Sequence, residues 1–262
     1  MIEVRDASVV YPGGVRALAP TSLRFEAGAF TVLLGASGAG KSTLLRCING
    51  LVRPSAGRVT DASGADLLGA RALRAHRRAT GMIFQQHQLI GRLSVLDNVL
   101  TGRLGFHGAL RTLLPFSLAE KRLALAAIER VGLIDMALRR ADRLSGGQQQ
   151  RVGIARALVQ RPRLILADEP VASLDPKSAE RVLGLLHRIC KDDGLTAIVS
   201  LHQLDLARRF ADRIVALAGG AVVFDGPPEA LRPGEIERVY GGAPAAPPDS
   251  AESPTETLET VA

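Results

Sequence analysis

At 262 residues, 47% of them hydrophobic and 23% charged, the chain can bury the core of one large or two small domains, which excludes a wholly disordered protein. Its longest charge-free stretch, residues 27–40, is glycine-rich and only 14 residues long, short of the roughly 20 apolar residues of a membrane-spanning helix. The formal charge of +7 suits phosphate ligands, nucleic acid or anionic lipid, and equally an arginine-rich solvated surface, while 3% aromatics and no Trp leave few platforms for stacking single-stranded bases. No apolar segment follows Met1, and Cys47 and Cys190 are isolated from each other, so a cytosolic chain without a disulfide framework is expected.

Short apolar runs predict strands over 2–10, 30–34, 80–84, 164–167, 196–200 and 213–217, with helical patterns between them. The alternation argues for a mostly parallel α/β sheet. Residues 88–160 lack strand patterns and carry helical ones, among them 119–131 with Leu123, Ala127, Ile128 and Val131 on one face, and they read as a helical insertion. Over 178–190, Val182, Leu185, Leu186, Ile189 and Cys190 form another apolar stripe. Gly219-Gly220 predicts a tight hairpin. The tail 241–262 is rich in Pro, Ala, Ser, Thr and Glu, carries four acids and no base, and is expected to be disordered.

Three clusters carry chemistry. Gly35, Ala36, Ser37, Gly38, Ala39, Gly40, Lys41, Ser42 and Thr43 fit GxxxxGK[ST] between a predicted strand and an amphipathic run at 42–51. The glycines let backbone N–H groups approach a polyphosphate, the following helix adds its positive end, Lys41 reaches the β/γ-phosphates and the Ser42 hydroxyl ligates Mg²⁺. Asp168 and Glu169 end an apolar strand, where α/β sheets bind ligands. Asp168 would hold the Mg²⁺ shell through water and Glu169 would polarise the attacking water; either acid alone could instead be a helix cap or a solvated strand end. Finally, Ser145, Gly146, Gly147 and Gln148 open a helix reaching about Leu158, with Ser145 as a natural N-cap. That makes either a second anion-binding terminus or an ordinary capped helix.

Over about residues 1–240 this ordered set resembles the ATP-binding cassette (ABC) transporter ATPases. Gly35–Thr43 is similar to the family's Walker A motif, 144–148 to its LSGGQ signature, 164–169 to Walker B with the catalytic glutamate, and 173–175 to the D-loop that contains Asp175. His202 matches the switch histidine, Gln85 the Q-loop glutamine with Gln86 an adjacent competitor, and Tyr11 the aromatic that stacks on adenine. The resemblance implies a P-loop NTPase (RecA-like) core at about 1–87 and 161–240, an antiparallel β subdomain and an α-helical subdomain inserted at about 88–160. It implies ATP and Mg²⁺ as ligands, with Ser42, Gln85 and Asp168 around the metal and Glu169, His202 and Gln85 catalytic. It also implies a head-to-tail homodimer in which Ser145 and Gly147 of one copy meet the γ-phosphate held by Lys41 of the other.

Residues 81–90, 92–105, 110–117 and 167–176 look most like the phosphonate-importer branch. That branch implies uptake of phosphonate or a related oxyanion, two separate permease subunits, a solute-binding protein acting indirectly, and peripheral attachment to the cytoplasmic face of the membrane, without nucleic acid. The alternatives are an ABC ATPase for another solute, a soluble nucleic-acid-associated ABC ATPase and a P-loop kinase. One cassette without sustained heptads speaks against the nucleic-acid reading, and a kinase leaves Ser145–Gln148 unexplained.

Overall fold

The computed structural model describes residues 2–61, 64–67, 69–86, 88–108 and 114–241. His87 and residues 110–113, parts of the branch-like stretches, lie outside the described residues, as does the tail beyond Gly241. Strands β1 (Ile2–Val10), β2 (Arg16–Phe25) and β4 (Ala56–Asp61) pair antiparallel in the order β2-β1-β4. A second sheet runs β5 (Thr80–Ile83), β6 (Leu164–Ala167), β7 (Thr196–Leu201), β3 (Phe30–Leu34), β8 (Arg213–Ala218) and β9 (Ala221–Gly226). The first five of these strands are parallel, and β9 returns antiparallel across the Gly219-Gly220 turn, where both glycines have positive φ.

Every residue of β3, β5, β6 and β7 is buried, which is why these segments read as largely apolar runs with few polar residues. The pleat splits them between two cores. Phe30, Val32 and Leu34 face one core with Ile165, Ala167, Ala197 and Val199. Leu33 faces the other with Leu164, Leu166 and Ile198, and that core also takes β1 and the helix α1 (Lys41–Ile48). The same parity carries Asp168 and Ser200, one step past Ala167 and Val199, toward the α1 side. Strands β2 and β4 have weaker sequence signals. Pro20 interrupts β2, where it is tolerated on an outer strand, and β4 is AGRVTD with Gly57 at positive φ.

Five further helices complete the layers on the parallel sheet: α2 (Ala70–Arg78), α5 (Gly146–Leu158), α6 (Pro176–Asp192), α7 (Leu204–Phe210) and α8 (Pro233–Tyr240). Between β5 and α5 lie α3 (Val95–Leu100) and α4 (Leu118–Arg130), with 3-10 turns. Ser94 caps α3, while Ser117 with Glu120 and Ser145 with Gln148 form capping boxes on α4 and α5. The buried Asn98 amide accepts from Ile90 N–H at 2.8 Å and donates to the Ser94 carbonyl at 3.0 Å, fixing the entry to this segment. One hydrophobic core runs without a break from Ile83 and Ile165 of the sheet to Val95, Ile128 and Ile154 of these helices.

Cys47 and Cys190 sit in the two different cores, and burial pushes their thiols up to about 11 and about 12. Since the thiolate is the reactive form, the native protein is expected to take up no maleimide at pH 7 within minutes, and two equivalents after denaturation. Mass spectrometry of the adducts checks this, and rapid labelling of the native chain would contradict the burial.

Candidate functional site

The site begins where β3 ends. A Cβ on Gly35 would lie 2.4 Å from the Leu217 carbonyl oxygen, so only glycine lets the chain turn this close to β8. Gly40, at φ +100, sits 2.7 Å in the same sense from the Ala17 oxygen and precedes α1 without a side-chain cap. The helix therefore starts with backbone donors that no side chain occupies, in the positive field of its N-terminus. Ala36 accepts from Ala39 N–H at 3.2 Å, and Ser37 and Gly38 form the exposed crest. Ala39 and Thr43 turn inward and are buried.

Lys41 is 3% exposed. Its ammonium donates to the Gly35 and Ala36 carbonyls at 2.8 and 2.9 Å and lies 3.5 Å from Glu169 Oε1. The Ser42 hydroxyl donates to Asp168 Oδ1 at 2.7 Å. Across the top of β6, Gln85 Nε2 donates to Glu169 Oε2 at 3.4 Å, and His202 Nδ1 stands 3.9 Å from that oxygen. Glu169 is thus the meeting point of an ammonium, an amide and an imidazole arriving from three segments. Gln86 lines a separate cleft with Gln88 and Leu89, so the two adjacent glutamines have different surroundings.

Ser42 and Asp168 present a hydroxyl and a carboxylate, hard oxygen donors that suit Mg²⁺. Among the described residues no group of three His, Cys, Asp or Glu side chains could hold a metal by itself. A cation here would need further oxygens from water or a bound phosphate, the usual way Mg²⁺ is held at phosphoryl-transfer sites. Tyr11 is in the turn between β1 and β2, half-buried against the core on the α1 side.

The remaining candidates are elsewhere. Ser145, Gly147 and Gln148 line a cleft of about 550 Å³ with Arg151, Ser178 and Arg181, and neither Lys41 nor Glu169 borders it. The Ser145 N–H donates to Gln148 Oε1 at 2.9 Å, and the Gln148 N–H donates to Ser145 Oγ at 3.4 Å. Gly146 packs beside Leu174, where an added Cβ would stand 3.4 Å from a Leu174 methyl carbon. Asp175 caps α6, accepting from Ser178 N–H at 3.0 Å, and this bonding to Ser178 holds its carboxyl below the usual range. Within one chain, then, the two helix N-termini do not share a pocket.

Two residues that sequence reasoning passed over join the cluster. Ser200, wholly buried, donates to Asp168 Oδ1 at 3.0 Å and accepts from the Glu169 N–H at 2.8 Å. Its strand parity with Asp168 was available as a signal. Tyr240, from α8, donates its hydroxyl to the His202 carbonyl at 2.9 Å, a contact with no local signature.

A family model described as ABC transporter matches residues 18–172. The phosphite import ATP-binding protein of Stutzerimonas stutzeri is 61% identical over 256 residues, covering 95% of this chain and 93% of the relative. A phosphonates import ATP-binding protein of Nostoc sp. is 56% identical over 243 residues, covering 93% of each. Among solved structures, cbiO1 from Clostridium perfringens, part of an ABC transporter complex, superposes with a TM-score of 0.77 at 29% identity, covering 90% of this chain and 92% of its own. A dimeric ATP-binding cassette in a post-hydrolysis state with ADP and Pi gives a TM-score of 0.75 at 34% identity, covering 87% and 98%.

Proposed function

This chain belongs to the ABC transporter family, and on that footing we propose that it is the ATP-hydrolysing subunit of an importer for phosphonate or a related oxyanion such as phosphite. What supports the ATPase reading is the convergence on Glu169: Lys41 at 3.5 Å, Gln85 at 3.4 Å and His202 at 3.9 Å, above a strand end shared with Asp168. What supports the solute class is identity to a phosphite and a phosphonates import protein at 61% and 56%. Residues 1–240 form the ATPase domain, with the RecA-like core at about 1–87 and 161–240 and the helical subdomain at about 88–160.

In this reading Lys41 exchanges the Gly35 and Ala36 carbonyls for the γ-phosphate, and the N–H groups at the start of α1 receive the β-phosphate. Ser42 and Asp168, with Gln85 nearby, would hold Mg²⁺, whose charge offsets that of the phosphates. Glu169 orients a water on the γ-phosphorus and accepts its proton, and His202 steadies the phosphoryl oxygens. Tyr11 stacks on the base. Ser145, Gly146, Gly147, Gln148 and Asp175 serve the nucleotide of a second copy in a head-to-tail homodimer, consistent with a cleft that excludes Lys41 of the same chain.

Among the described residues no helix is long and apolar enough to cross a membrane. As the ATPase of an importer, this subunit would dock at the cytoplasmic face on two permease chains that supply the path. A solute-binding protein acts through those permeases. The test is reconstitution with the permease subunits and solute-binding protein that co-purify with it. ATP-dependent accumulation of labelled methylphosphonate or phosphite in vesicles is expected. Hydrolysis that responds to nucleic acid and ignores the permeases would overturn the assignment.

A further inference from the structure

We infer that Ser200 is a positioning residue for hydrolysis: its hydroxyl ties the backbone of the water-activating Glu169 to the carboxylate of the cation-side Asp168, and so fixes the backbone from which the Glu169 side chain is presented. The inference rests on the proposed role of Glu169. Ser200 is 0% exposed, at the carboxyl end of β7, and its one hydroxyl serves both acids. It donates a hydrogen bond to Asp168 Oδ1 at 3.0 Å and accepts one from the Glu169 N–H at 2.8 Å. The same Oδ1 receives the Ser42 hydroxyl at 2.7 Å, so the chain of contacts runs from the glycine loop through Asp168 and Ser200 to the Glu169 backbone.

The Glu169 backbone needs such a hold. Its φ is +44°, the left-handed region that a branched or long L side chain seldom adopts. That conformation is what turns the carboxylate away from the strand's alternation and toward Lys41, Gln85 and His202. A buried N–H without its acceptor favours a return to extended geometry, which would swing the carboxylate out of line with the γ-phosphorus. The fully buried position of Ser200 fixes its rotamer by packing, so the hydroxyl is held ready at no further ordering cost. A hydroxyl at 200 therefore sets kcat through Glu169, while the Ser42 hydroxyl still holds Asp168 and Lys41, which makes no bond to Ser200, still serves the phosphates.

Ser200→Ala is expected to lower kcat about 10- to 100-fold, the usual size of an effect on a supporting shell, with KM for ATP within twofold of the parent. Without any nucleotide, the Glu169 amide should exchange its hydrogen faster in this variant, read by mass spectrometry. Ser200→Thr, which keeps the hydroxyl, should restore most of kcat and the slow exchange. If Ser200→Ala does not fold, Ser200→Cys takes its place, since a thiol is a poor donor and acceptor of similar size. A kcat within twofold of the parent, or equal losses in the Ala and Thr variants, would overturn the inference. Glu169→Gln run in parallel separates the two levels. If it retains turnover, the water-activating role has failed; if it is inactive while Ser200→Ala is not, only the positioning role has.

Discussion

Glu169→Gln should reduce steady-state ATP hydrolysis by about 100- to 10,000-fold, the range lost when a positioned general base is removed, with ATP affinity unchanged or improved. The amide has the shape of the carboxylate but cannot accept the proton of the attacking water. It also removes the anion that stands 3.5 Å from the Lys41 ammonium, which frees that charge for the γ-phosphate. Binding without turnover has a visible consequence: the two copies remain closed on ATP, and a dimer persists on size exclusion in ATP but not in ADP. Colorimetric phosphate release measures the first part and light scattering the second. Turnover within tenfold of the parent would remove Glu169 from the chemistry.

Lys41→Ala should fail one step earlier. Lys41 is 3% exposed and its ammonium holds two loop carbonyls, so it is pre-positioned inside the cradle and loses little freedom when a phosphate replaces them. A charge-assisted hydrogen bond of this kind contributes about 1.5–3 kcal/mol, so ATP affinity is expected to fall roughly 10- to 150-fold, and hydrolysis with it. Isothermal titration with ATP on the two chains checks the number. Unchanged affinity would mean that the loop binds through its backbone alone, with Lys41 acting only later. Together the pair separates binding from chemistry: one variant binds and does not turn over, the other scarcely binds.

The separation of the two helix N-termini bears on assembly. Ser145 and Gly147 border a cleft with Arg151 and Arg181 that lacks Lys41, yet the motif around them is built with a full capping box and two glycines. In the proposed head-to-tail homodimer, both termini would meet one triphosphate. The dimeric cassette with ADP and Pi, at a TM-score of 0.75, is a relative whose own structure is of that oligomeric order.

Much of this was legible locally. The glycine loop, the strand ending in Asp168-Glu169, the Ser145 cap and the Gly219-Gly220 hairpin each occupy fewer than about ten consecutive residues, and their physics is near-neighbour physics: backbone freedom, capping and periodicity. Strands β3, β6 and β7 could be read because burial on both faces favours a largely apolar run. Strands β2 and β4 were not predicted, since a Pro on an outer strand and a Gly-Arg-rich segment contradict strand propensity until β1 is beside them.

The primary sequence alone settled which chemistry the chain carries, because a phosphate cradle and its acids are encoded in short contiguous motifs whose meaning does not depend on distant partners. It could not settle how those acids are held. Ser200 reaches Glu169 across 31 residues of sequence, and Tyr240 reaches His202 across 38, through hydrogen bonds that exist only after β6, β7 and α8 have packed. Strand parity could put Ser200 and Asp168 on the same face of their strands, but that β6 and β7 lie side by side, and that α8 ends beside His202, depends on where separately folded segments come to rest.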